Sequence, residues 1–94
     1  GGGSDTVRLK MSYWVLSDGE TFNIGVPDAT NQEDLDVSAE VQNTLYWHEL
    51  PNLRISSSDV PAARCKIIAK VWRDTTVVDN FSGGLRLSTM IAYL

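Results

Sequence analysis

Val7-Arg8-Leu9-Lys10-Met11-Ser12-Tyr13-Trp14-Val15-Leu16, followed by Ser17-Asp18-Gly19-Glu20, is the stretch on which the fold turns. Val7, Leu9, Met11, Tyr13 and Val15 alternate with Arg8, Lys10, Ser12, Trp14 and Leu16. A period of two is the signature of a half-buried strand. Asp18-Gly19 then supplies a dipeptide that tolerates the positive φ angles of a two-residue hairpin turn. The spacing predicts a hairpin whose second strand is residues 21–26. That register pairs Val15 with Phe22, Tyr13 with Ile24 and Met11 with Val26. All six side chains then share one face, and a slip of one residue would scatter them. Trp14 and Leu16 fall on the opposite face.

Beyond the hairpin, residues 27–32 are rich in turn formers and read as a loop. The pattern then predicts a helix over residues 36–50. Acids crowd its start, where the helix dipole favours them, and Asp34 or Asp36 is placed to cap it. Pro51-Asn52 supplies a stop. Val37, Val41, Leu45 and His48 fall on one arc of that helix. Tyr46 and Leu50, with Ala39 and the adjacent Trp47, form a second stripe. Two stripes imply a helix wrapped by loops or shared with a partner, so Tyr46, Trp47 and Leu50 are candidate contact residues.

After a polar connection over residues 53–60, strand periodicity returns. Cys65, Ile67, Ala69 and Val71 alternate with Lys66, Ile68, Lys70 and Trp72. Arg73-Asp74 breaks the run, residues 75–80 leave room for a further strand, and Ser82-Gly83-Gly84 reads as a turn. Residues 85–94 alternate again and predict a terminal strand with an open edge. The expected fold is therefore α+β. It has one antiparallel sheet of four to five strands, ββ-α-β(β)β in order, with one helix packed on one face.

The 94 residues suit one domain. Gly1-Gly2-Gly3-Ser4 reads as a flexible linker or cloning scar, which leaves 5–94 as the single α+β domain. No apolar run approaches the roughly 20 residues of a membrane helix, and no secretory signal opens the chain. With one cysteine, Cys65, no internal disulfide is available. These features predict a soluble, cytoplasmic protein.

Net charge is −4, which weighs against a general nucleic-acid binder. The charges are polarised, however. Residues 27–60 hold seven acids and one base, whereas residues 61–73 hold four bases and no acid.

No motif fixes a reaction. A Ser-His-Asp or Cys-His arrangement would need His48, the only histidine, which sits on the apolar arc of the expected helix. His48-Glu49 lacks the second histidine of a zinc-protease signature. Cys65 reads as a small buried hydrophobe. The run Glu33-Asp34-Leu35-Asp36 lacks the alternation and glycine of a calcium loop. Asn80-Phe81-Ser82 matches a glycosylation sequon, which matters only in a secreted chain. No catalytic residue, metal or cofactor is expected.

The most informative constellation is the sheet face away from the expected helix. Arg8, Lys10, Trp14 and Leu16 project there from the first strand, and Lys66, Ile68, Lys70 and Trp72 from the third. Aromatic and aliphatic side chains mixed with bases on a wet face are characteristic of interfaces. The bland reading is that loops of the chain cover them, with lysine stems lying over the indoles. The functional expectation is a non-enzymatic interaction or assembly module. It would self-associate, with a homodimer as the expected form, or dock a protein partner, through this face or through the C-terminal edge strand. The alternative is a small nucleic-acid-binding domain that stacks bases on the same Trp, Lys and Arg residues.

Overall fold

A computed structural model describes residues 5–17, 19–60 and 65–87 of the chain. Within them, three strands form one open antiparallel sheet. They are β1 (Thr6–Ser17), β2 (Ala29–Asp36) and β3 (Cys65–Arg73), and β1 lies in the centre, in the order β2-β1-β3. A three-residue 3-10 turn at Ser57–Asp59 precedes β3. The first and third strands lie where the alternation places them. No helix is present among the described residues, so the sheet is not the α+β arrangement with a packed helix that the sequence suggests.

The expected hairpin does not form, although the chain turns after β1 where the sequence places a turn. Glu20 N donates to Ser17 O at 3.0 Å, and Gly19 has φ +81°. From there the chain peels away, and residues 21–26 form no strand. Trp14 takes over their anchoring. Its ring meets Phe22 edge-on at 5.7 Å, and its Nε1 donates to Gly25 O at 3.3 Å. Asp28 then claims the backbone of β1. Its Oδ2 accepts from Val15 N at 2.6 Å, and its N donates to Tyr13 O at 2.9 Å. Pro27 has no N–H to give a ladder. Pairing resumes at Ala29, opposite Tyr13, and runs to Asp36, opposite Thr6.

Residues 37–50, expected with Asp36 to be helical, are irregular for local reasons. Asp36 does not cap a helix. Its Oδ1 accepts from Ser38 N at 2.9 Å in a side-chain turn. Asn43 sits at φ +64°, which no helix interior accommodates. Val37, Val41 and Thr44 are β-branched, and Ser38 and Asn43 compete for backbone hydrogen bonds. Residues 75–80, where the spacing leaves room for a further strand, form none. The expected terminal strand is not a strand over 85–87, and its remainder, 88–94, lies outside the described residues.

Directly paired residues in an antiparallel sheet share a face. The inner face therefore carries Val7, Leu9, Met11, Tyr13 and Val15 of β1 with Leu35, Glu33, Asn31 and Ala29 of β2. From β3 it carries Arg73, Val71, Ala69, Ile67 and Cys65. The core sits here. Val7, Leu9, Met11 and Tyr13 are buried, and the fifth buried apolar residue among those described, Leu16, belongs to the other face. Segment 50–56 covers the middle of the inner face through polar clips. Asn31 Nδ2 donates to Arg54 O at 2.6 Å, Asn52 Nδ2 to the buried Glu33, and Ser56 N to Tyr13 Oη at 3.4 Å.

Candidate functional site

The register settles which side chains share the outer face. Lys10 stands opposite Trp72, Ser12 opposite Lys70, Trp14 opposite Ile68 and Leu16 opposite Lys66. Arg8 lies two residues along from Lys10 in β1. All eight residues singled out in the sequence therefore lie on one face of the sheet, away from the buried row of Val7, Leu9, Met11 and Tyr13. Across β1, β2 adds Thr30, Gln32, Asp34 and Asp36 to the same face. Trp14 and Trp72 stand four positions apart along the strand direction, about 13 Å at the usual rise.

Their exposures differ. Lys66 and Lys70 are exposed, and Arg8, Lys10, Trp14, Ile68 and Trp72 are half-buried. Leu16 is buried and so contributes no accessible surface. Ser12, in the centre of the face, is also buried and shares a 2.7 Å hydrogen bond with Thr30 across the strands. The Lys70 ammonium lies 5.9 Å from the centre of the Trp72 ring, a cation–π geometry.

Two of the four bases are already engaged. Arg8 donates to Asp34 through Nε at 2.8 Å and Nη2 at 3.1 Å. The paired carboxylate raises the Arg8 pKa, and the guanidinium holds Asp34 below the usual aspartate range. Lys10 lies 3.3 Å from the buried Asp74. The Asp74 pKa is also lowered, first by hydrogen bonds from the Thr76 hydroxyl and backbone and then by Lys10. Asp36 is lowered by its hydrogen bonds from Ser38. Lys66 and Lys70 have no carboxylate partner among the described residues.

The second group, Tyr46, Trp47 and Leu50, does not form a helical stripe. It lines a cleft of about 1080 Å³ at the opposite side of the sheet, floored by Val7, Leu9 and Leu35 and walled by segments 37–50 and 80–87. Tyr46 accepts a 2.7 Å hydrogen bond from Val41 N at its hydroxyl, and Trp47 is 76% exposed. Arg73 secures the second wall. It bonds Asp79 and, at 2.6 Å, Phe81 O, and its guanidinium lies 5.4 Å from the Phe81 ring centre. The wall at residues 80–87 was not foreseen. Arg73-Asp74, read only as a strand break, is the signal that marks its anchor.

His48 is paired with Glu40 within segment 37–50, and Cys65 is a half-buried free thiol opposite Ser17 at the start of β3. Among the described residues there is no cluster of three or more potential metal ligands, and no helix is long and apolar enough to cross a membrane. Comparison with known proteins finds no matching family model, no matching curated protein and no matching solved structure.

Proposed function

We propose that this domain is a non-enzymatic assembly module that meets its protein partner, in the first instance a second copy of the chain, through the outer face of the sheet. The observation that carries this reading is the convergence of Trp14, Ile68 and Trp72 on one face with Lys66 and Lys70, which have no carboxylate partner among the described residues. Indoles and aliphatic groups there offer area whose burial is favourable, at roughly 25 cal/mol per Å² removed from water. The lysines give the contact orientation and partner choice rather than raw affinity.

The state of the core supports the same reading. Among the described residues five apolar side chains are buried and ten large ones are exposed. A three-stranded sheet with so little sealed on either side gains more from association than a closed fold does. The engaged state of Arg8 and Lys10 favours a protein over a polyanion, because each is already neutralised by a carboxylate and releases few counterions on phosphate. A reducing, cytoplasmic setting belongs to the proposal and agrees with the free thiol of Cys65.

The test is molar mass by light scattering over a wide concentration range. Wild-type mass rises with concentration. Trp72→Ala suppresses the rise, and Trp47→Ala, on the cleft side, leaves it in place. A wild type that remains monomeric throughout and retains no partner in a pull-down overturns the proposal.

A further inference from the structure

The two edges of the sheet carry opposite charge. β2, on one edge, contains Glu33, Asp34 and Asp36 and no base. β3, on the other, contains Lys66, Lys70 and Arg73 and no acid. Both are edge strands among the described residues, and no turn or loop backbone hydrogen bond occupies the outer side of either. An unpaired strand edge is a template for another strand, and side chains along it decide which strand is accepted.

From this we infer that copies of the chain join head to tail, β3 of one molecule adding to β2 of the next. The inference extends the assembly reading to a different surface. Both edge strands run antiparallel to β1, so they point the same way. A neighbour placed alongside by translation and twist pairs its β2 in parallel with β3 and keeps the inner face beside the inner face. The strands match in length, eight residues against nine. Lys66 and Lys70 belong to the outer face, as do Asp34, already paired with Arg8, and Asp36, which has no base partner among the described residues. Opposite charges therefore share one side of the joined sheet, and Lys70 comes beside the acidic end of β2.

Symmetric pairings are disfavoured by the same charges. On the outer face, β3 against its own copy sets Lys66 and Lys70 against their counterparts, and β2 against its copy does so with Asp36 and the Arg8-paired Asp34. Arg73 and the buried Glu33 lie on the inner face and are engaged within the chain. Like charges facing each other across strands are destabilising. The permitted contact is heterologous, which does not close with two molecules and gives a growing series or a ring. The outer faces then line up side by side, repeating Trp14 and Trp72 along one continuous surface.

Sedimentation of the full chain at low salt tests this. Wild-type mass passes beyond the dimer as concentration rises, and added salt reduces it by screening. Lys66→Glu/Lys70→Glu weakens association about tenfold or more, as expected when favourable cross-strand charge pairs turn unfavourable. Gln32→Lys/Asp36→Asn, on the other edge, weakens it too, with the Asn amide keeping an acceptor for Ser38. Lys66→Arg/Lys70→Arg retains growth, and circular dichroism shows each variant folded. A mass that stops at the dimer, or growth indifferent to either charge variant, overturns edge pairing. If that dimer is dissolved by Trp72→Ala, the outer-face reading stands without it. A monomer at every concentration removes both.

Discussion

Arg8 and Asp34 face each other across β1 and β2 and are joined by two parallel hydrogen bonds, 2.8 and 3.1 Å long. This pair ties an acid-rich edge strand to the central strand, where apolar contact alone has little to offer. Of the eight residues of β2, Ala29 and Leu35 are the only apolar ones. Its registration rests on cross-strand polar pairs, Arg8 with Asp34 and Ser12 with Thr30.

Acid should loosen the fold through these groups. Asp34, Asp36 and Asp74 all have pKa values lowered in the folded chain. A lowered folded value means that the stabilisation is fully present above the unfolded pKa, about 3.9 for aspartate. It is lost as pH falls through the lower folded values. Urea midpoints measured by circular dichroism are expected to decline below that point. In Asp74→Asn the decline is shallower and starts from a lower plateau. A midpoint that stays level down to full protonation contradicts the proposed pairing.

Leu9 is 2% exposed in the middle of the central strand. Leu9→Ala removes about 2–5 kcal/mol by lost transfer energy and the cavity left behind. For a small domain with roughly 5 kcal/mol in total, that is much or all of the stability. Denaturant unfolding checks it, and a loss below about 1 kcal/mol would show that the inner face is not the core.

Gly19 adopts φ +81° with open space where a Cβ would stand. Gly19→Ala therefore meets strain and no clash, and should cost roughly 1–2 kcal/mol. An unchanged unfolding midpoint would mean that the turn is not built this way.

Asn43 distinguishes the observed loop from the expected helix. At φ +64°, Asn43→Gly relieves a left-handed position and should be neutral or stabilising. In a helix interior the same change from Asn costs a few tenths of a kcal/mol. Asn43→Val sharpens the contrast, because a β-branched residue resists positive φ, whereas a helix tolerates it almost as well as Asn. Equal stability of the Gly and Val variants contradicts the loop.

The sequence was most legible where hydrophobic alternation was strong. β1 and β3 follow directly from Val7, Leu9, Met11 and Tyr13 and from Ile67 and Val71. Their phase places Trp14 and Trp72 on the same face. β2 was hidden because Asn31, Glu33, Asp34 and Asp36 are poor strand formers, held by partners distant in sequence. The apolar spacing of Val37, Val41 and Leu45 imitated a helix, but local hydrogen bonds at Asp36 and the backbone at Asn43 fix a different path. Phe22 and Ile24 matched a hairpin register, yet Asp28 reaches Val15 N first and the ladder passes them by.

The outer face and the cleft are separated by their tryptophans, since Trp14 and Trp72 lie on one and Trp47 on the other. The three indole N–H signals followed by NMR through a dilution series test the central claim most directly. The account predicts that the signals of Trp14 and Trp72 shift with concentration while that of Trp47 stays in place. Movement of the Trp47 signal alone, or three signals unmoved while the mass grows, would contradict it.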